Sequence, residues 1–252
     1  MRVLLTNDDG VHAPGMTVLS DIAHAISDDV WIVAPMHDQS GQSRAITLKD
    51  PLRLSEVGEQ KYGLTGTPAD CVMMGVLELM PGPPDLVLSG VNAGQNTADH
   101  IGYSGTVAGA MEGAFLGICS IALSQAADFG SGDPKLHWDT ALEVGKSLVP
   151  KIVASHQDER TIYNINFPHC TPDKVQGTMI TTQGRVGPSM FPEMRLDGRN
   201  TPYYWNRFSS IPENILDGTD RQALRDDYVS VTPLTADFTA HHELDYWQGR
   251  LR

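Results

Sequence analysis

Basic residues are scarce in this chain of 252 residues: 18 Lys and Arg stand against 31 Asp and Glu, a formal net charge of −13 with neutral His. Proteins that track a nucleic-acid backbone gain affinity by releasing counterions through Lys and Arg clusters, so no nucleic-acid polymer is expected as partner. A small anion received by a local cation stays possible. Cysteine is scarce too. Cys71, Cys119 and Cys170 are odd in number, widely spaced and without a CxxC pair, which speaks for reduced thiols in a cytoplasm rather than a disulfide framework. Long apolar runs are also missing. The nearest, Ala108 to Ala127, carries Glu112 and a helix-ending Gly117, and the amino terminus meets two carboxylates after a few apolar residues, so neither a membrane span nor a signal peptide is expected. There is no GxxxxGK[ST], no GxGxxG after the first apolar run and no HExxH. The GxSxG pattern fails because Gly102-Tyr103-Ser104-Gly105-Thr106 lacks the last glycine. Nucleotide-driven motors and serine hydrolases lose support.

What is present reads as an α/β protein. At 40% hydrophobic and 19% charged, with 24 Gly and 16 Pro, the chain is expected to fold as a turn-rich globule. Val3-Leu4-Leu5-Thr6 predicts a strand that ends at Asn7-Asp8-Asp9-Gly10. Val18, Leu19, Ile22 and Ile26 fall at helical spacing, and Val30 to Pro35 is apolar on both faces, as in a strand of a covered parallel sheet. This β, α, β order implies a right-handed crossover. Ala45 to Val57 alternates and is expected to form a hairpin on the sheet's rim. Further helices are expected over 68–79, 106–116 and 136–153, and strands over 85–89, 118–123 and 161–166. After Pro168 the regularity fades into candidate strands near 178–182, 202–207 and 228–233. The parse is a core over 1–170 and an aromatic-bearing extension over 171–252.

In open parallel sheets ligands bind beyond the carboxyl ends of strands. Four exits are unusual: Asp8-Asp9, Asp38-Gln39-Ser40-Gly41, Gly90 to Asn96, and Tyr103-Ser104-Gly105-Thr106. Two carboxylates about 4 Å apart repel by about 4 kcal/mol at an effective dielectric of 20, which a shared proton or a cation relieves. An isolated Asp pair can equally cap a helix or decorate a turn. Ser40, Asn92 and Asn96 add neutral oxygens from neighbouring exits, and an all-oxygen donor set suits Mg²⁺, Mn²⁺ or Ca²⁺ better than Zn²⁺. Ser104-Gly105-Thr106 opens a helix, where amides and hydroxyls meet the positive end of the dipole and suit phosphate, although such residues are often only caps.

These stretches, TNDDG with VHAPG (6–15), VAP with the Ser40-Gly41 exit (33–41), GTPADCV (66–72), SGVNAGQN (89–96) and YSGTVAGAMEG (103–113), resemble the SurE family of stationary-phase survival proteins, metal-dependent nucleotidases; NINFP (164–168), GTD (218–220) and YVSVTPL (228–234) are weaker matches. The resemblance implies a Rossmann-like three-layer fold with a mostly parallel sheet and a β-rich oligomerisation extension. It implies a cytoplasmic phosphatase that cleaves nucleoside 5′-monophosphates, also 3′-monophosphates and short polyphosphate. One divalent cation per subunit, Mg²⁺ or Mn²⁺ with Ca²⁺ as a crystallographic substitute, is expected on Asp8, Asp9, Ser40 and Asn92. Asn96, Ser104, Gly105 and Thr106 fall where the family surrounds phosphate. A homodimer or homotetramer built by exchange of carboxy-terminal elements is implied as well.

The expected chemistry is in-line attack on phosphorus by a metal-activated water, with Asp8 and Asp9 catalytic. No sequence argument selects a proton donor among His12, His37, His100, His241 and His242. Two rivals remain. A receiver-type phosphoacceptor domain also places an acidic pair after its first strand, but needs an acid and a lysine at later exits, where Ser89-Gly90 and Leu123-Ser124 stand. The other is a noncatalytic nucleotide-binding protein.

Overall fold

Val3, Leu4 and Leu5 of the first strand, β1 (Arg2–Thr6), are all fully buried, which a strand achieves only when both sheet faces are covered. Successive side chains point to opposite faces. Val3 and Leu5 pack with Leu19 and Ile22 of α1 (Pro14–His24), whereas Leu4 packs with Cys71 and Val72 of α2 (Pro68–Met74). The computed structural model describes residues 1–128, 135–158, 160–187, 190–208 and 215–251.

After α1 come β2 (Asp29–Pro35), a short hairpin of β3 (Leu54–Gly58) and β4 (Lys61–Leu64), and then α2, which continues into one π-helical turn. β5 (Leu86–Ala93), α3 (Gly105–Phe115) and β6 (Cys119–Gln125) follow. A small ribbon of β7 (Ala127–Asp128) and β8 (Lys135–Leu136) precedes α4 (Trp138–Ser155) and β9 (Thr161–Phe167). The remaining elements are β10 (Thr178–Ile180), the two-stranded β11 (Met190–Leu196) and β12 (Pro202–Phe208), α5 (Asp220–Arg225), β13 (Val229–Thr235) and α6 (Leu244–Gln248). One sheet has the order β10-β13-β9-β6-β5-β1-β2-β4-β3. Its pairings are parallel except β13 with β9 and β3 with β4. Helices α1 and α4 share one core, with Ala141 and Val149 beside Leu19 and Ile22. On the other face α2 and α3 meet the sheet through Val72 and through Val107, Ala110 and Ala114. Each fully buried Leu or Ile contributes about 1.5–3 kcal/mol. The result is the mostly parallel three-layer α/β fold expected from the sequence.

The rim hairpin lies further along the chain than the alternation of 45–57 suggests. Its arms are 54–58 and 61–64, and residues 45–53 form no strand. The reason is lateral: Thr47 donates through its N–H and Oγ1 to Asp70 at 3.1 and 2.6 Å, and Thr67 Oγ1 donates to Ala45 O at 2.6 Å. The cap and first turn of α2 therefore engage the Ala45 carbonyl and the Thr47 N–H, backbone groups that a strand would have given to the sheet. From the region after residue 170, β10 and β13 extend the main sheet, while β11–β12 forms a sheet of its own with Tyr204 and Trp205 exposed. Among the described residues no helix is long and apolar enough to cross a membrane.

Candidate metal and phosphate site

β1 lies between β2, which follows it in the chain, and β5, with Thr6 opposite Ser89. Here the order of the sheet reverses, and loops leaving adjacent strands diverge to open a crevice. Asn7 closes the exit of β1: its Nδ2 donates to Gly10 O at 2.9 Å and its Oδ1 accepts from Gly10 N–H at 3.2 Å. Gly10 takes φ +110°, a conformation that favours glycine.

Asp8 is buried against the start of α3. Its Oδ1 accepts from Thr106 Oγ1 at 2.5 Å, and a Cβ at residue 105 would come within 2.7 Å of Asp8 Cβ and Oδ2. Only glycine at 105 lets the helix lie so close. Asp9 Oδ2 accepts the Ala93 N–H at 3.2 Å, tying it to the end of β5. Burial pushes the Asp8 carboxyl above its ordinary range, opposed by the Thr106 bond. Burial first, then the charge of Asp8, raises Asp9 to about 6. Neither acid is comfortable as a lone anion here, and a cation would reverse that.

Asp8, Ser40, Asn92, Asn96 and Ser104 line one cleft of about 640 Å³, together with Gly41, Gln95, His100, Tyr103, Met190 and Asn206. Three of the four expected metal ligands thus converge, and Asp9 is held beside Asp8 and Ala93 without lining the cleft itself. Ser40 follows Gln39, whose N–H donates to Asp8 O at 2.8 Å. Asn92 spends its Nδ2 on Gly94 O at 2.9 Å, so the side-chain oxygen is what it offers a ligand. Ser104 is the cap of α3, accepting Val107 N–H at 3.0 Å; its oxygen serves the helix and its hydroxyl proton is left for an anion. Of the five histidines considered from sequence, His100 alone lines this cleft.

One placement departs from the residue-by-residue expectation. Thr106, placed by its motif among the phosphate residues, is fully buried, and its hydroxyl is given to Asp8 rather than to the cleft. Asn96 lines the cleft as expected and is itself held by residues that were not site candidates in the sequence. Its N–H donates to Asn166 Oδ1 at 2.8 Å, its Nδ2 donates to Ser124 Oγ at 2.8 Å, and its carbonyl accepts from Asn164 Nδ2 at 2.8 Å and Asn166 Nδ2 at 3.1 Å. The available signal was the polar residues inside otherwise apolar strands, since buried amides persist only when partnered.

The family model described as Survival protein SurE matches residues 3–189. A protein named 5′-nucleotidase SurE from Chelativorans sp. (strain BNC1) is 52% identical over 241 residues, 96% of each chain. A second of that name, from Mesorhizobium japonicum, is 49% identical over 245 residues, 97% of each. The crystal structure of the SurE protein from Aquifex aeolicus matches over the whole of both chains, with a TM-score of 0.84 at 33% identity.

Proposed function

The chain belongs to the SurE family, and on that premise we propose that it is a divalent-metal-dependent 5′-nucleotidase, hydrolysing nucleoside 5′-monophosphates to nucleoside and phosphate. The observation that carries this reading is the meeting of Asp8, Ser40 and Asn92 with Asn96 and Ser104 in one cleft at the switch point of the sheet.

The donor chemistry fits a hard divalent cation. Asp8 and Asp9 bring charge that burial disfavours, and the Ser40 hydroxyl and the Asn92 amide oxygen add neutral donors. These are all oxygen donors, whereas zinc prefers nitrogen and sulfur. Mg²⁺ or Mn²⁺ is the proposed ion, held by Asp8, Asp9, Ser40 and Asn92. When bound, such an ion supplies Lewis acidity toward the phosphoryl group and the attacking water.

The protein's own part is positioning. Ser104 and the amides opening α3 receive the phosphoryl oxygens at the positive end of the helix dipole. Asn96, fixed by Asn164 and Asn166, lines the same space. Asp9 orients the attacking water, and Thr106 holds Asp8 in place. His100 is the candidate proton donor to the leaving alkoxide. Because the terminal phosphoryl group is what the cleft grips, 3′-monophosphates and short polyphosphate belong to the proposal. Residues 1–170 are proposed as the catalytic core, whose sheet β10 and β13 complete, and the rest of 171–252, with β11–β12, as the extension that builds a homodimer or homotetramer, supported by the exposed Tyr204 and Trp205. Three free cysteines support a cytoplasmic setting.

The test is phosphate release from a panel of nucleoside monophosphates, with and without EDTA, and with Mn²⁺ or Mg²⁺ restored. Phosphate is expected to accumulate over many turnovers, to stop in chelator and to resume with metal. Release that persists in EDTA would remove the metal from the proposal; nucleotide binding without release would remove catalysis.

A further inference from the structure

Residues 36–53 form no helix or strand. Irregular segments of this length inside a compact domain are usually functional or disordered, and this one carries Ser40. It is fastened at both ends. Gln39 N–H donates to Asp8 O at 2.8 Å, and Thr47 bonds Asp70 on α2 at 3.1 and 2.6 Å. Between these points lies a third fastening, made to α3 and to the turn before it. Ser43 Oγ donates to Gly102 O at 2.8 Å and Ser43 N–H to Tyr103 O at 3.2 Å. Arg44 then donates through Nε and Nη2 to Glu112 Oε2 at 3.1 and 2.9 Å, with its guanidinium 3.7 Å from the centre of the Phe115 ring.

Glu112 is the one charged side chain among the buried residues of α3, which are otherwise Gly, Ala, Val and Thr106. A buried carboxylate requires a partner, and this partner comes from a loop 68 residues earlier in the chain. Arginine suits the task for a definite reason. Its planar fork can donate twice to a carboxylate oxygen while its face stacks on an aromatic ring, which an ammonium cannot do together. One end of α3 thus holds Asp8, through Thr106 and the close approach at Gly105. The other end holds the Ser40 loop, through Glu112 and Phe115.

We propose that Arg44 is a positioning residue for the metal site: latched to Glu112 and Phe115, it registers the Ser40 hydroxyl against Asp8 by fixing both to the single rigid element α3. The inference rests on the metal reading above, since Ser40 matters only as a ligand. It makes Arg44 act through Ser40 and not by touching substrate.

The experiment measures Mn²⁺ affinity of the full chain by the EPR signal of free Mn²⁺, beside thermal unfolding in EDTA and nucleotide kinetics. Arg44→Leu is expected to weaken Mn²⁺ binding about tenfold, the scale on which residues supporting a metal ligand act. Arg44→Lys is expected to lose nearly as much, since it keeps the charge and lacks the fork. In a Ser40→Ala background, Arg44→Leu is expected to change Mn²⁺ affinity by roughly twofold or less, because two residues acting through one contact are not additive. At saturating Mn²⁺ the nucleotide KM of Arg44→Leu returns to that of the wild type. Wild-type Mn²⁺ affinity in Arg44→Leu, with or without a lower Tm, would reduce the latch to a stabilising ion pair and overturn the proposal. So would a full tenfold loss added on top of Ser40→Ala. If Arg44→Leu does not fold, Arg44→Lys and Glu112→Gln carry the same comparison. A wild-type chain that binds no Mn²⁺ is a different result, which overturns the metal reading itself.

Discussion

Asp9→Asn should make the metal-free protein more stable while abolishing its activity. The carboxyl of Asp9 sits at about 6 in the folded chain against 3.8 for the free group, first because burial strips its water and then because Asp8 is charged beside it. A raised carboxyl means that the folded state binds the proton more tightly than the unfolded state. The ionised form is therefore a cost to folding, absent below the unfolded value and fully present above the folded one. A difference of about two pKa units corresponds to about 3 kcal/mol at pH 7.5 and only about 1 kcal/mol at pH 4.5, where the folded carboxyl is already protonated. Asparagine removes the charge and retains an oxygen for the Ala93 N–H. Urea unfolding in EDTA is the assay. At pH 7.5 the variant should exceed the wild type by about 3 kcal/mol, with the advantage shrinking to about 1 kcal/mol at pH 4.5. Mn²⁺ should raise the midpoint of the wild type and leave that of the variant where it is. Equal stability at pH 7.5, or a gain that does not change with pH, would show that the pair is not strained by its own charge and needs no cation to relieve it.

Thr106→Val removes the donor to Asp8 Oδ1 inside the fold, a loss of about 1–3 kcal/mol. Mn²⁺ affinity should fall while nucleotide KM at saturating Mn²⁺ holds; a raised KM with unchanged Mn²⁺ affinity would return Thr106 to the phosphate. Asp220→Asn disturbs a fully buried carboxylate that accepts backbone N–H bonds from Ala98, Gly184 and Arg221 at 2.8, 3.0 and 2.8 Å. An amide turns an NH₂ toward one of those donors, a cost of about 1–3 kcal/mol that relief of the buried charge offsets only in part, so a lower Tm is expected and an unchanged Tm would contradict it. Chelation should abolish nucleotide binding as well as turnover, which titration calorimetry with a nucleoside monophosphate in EDTA checks; undiminished affinity there would mean that the chain itself receives the phosphate charge.

The central strands and their exits were legible because burial on both faces writes continuous apolar runs such as Val3-Leu4-Leu5 and Leu86-Val87-Leu88. Polar residues that end such runs stand out against them, and Asp8, Ser40 and Asn92 were found that way. What escaped is lateral. A Thr at the start of a helix reads the same whether its hydroxyl meets solvent or a carboxylate 98 residues away, as Thr106 does with Asp8. Nothing near Ala45 announces that Thr47 will bond Asp70, so the alternation over 45–57 predicts a rim hairpin that starts too early. The Asn164 and Asn166 side chains that frame Asn96 belong to β9, two strands away from β5, and strand order is a property of the sheet and not of any local window.

Charge explains why such a site needs an ion at all. Among the described residues that line the cleft there is no Lys or Arg, and Asp8 is the one carboxylate. On a chain of net charge −13, a phosphomonoester approaching this surface meets repulsion that one helix dipole, worth about 0.3–1 kcal/mol at an exposed end, offsets poorly. The divalent ion proposed for Asp8, Asp9, Ser40 and Asn92 would leave little net charge on the site once loaded and would keep coordination positions for the phosphoryl oxygens and water. The neutral oxygens proposed from Ser40 and Asn92, in place of further carboxylates, follow from the same balance: a third or fourth acid would hold the ion more tightly and leave the loaded site net negative, repelling the phosphate.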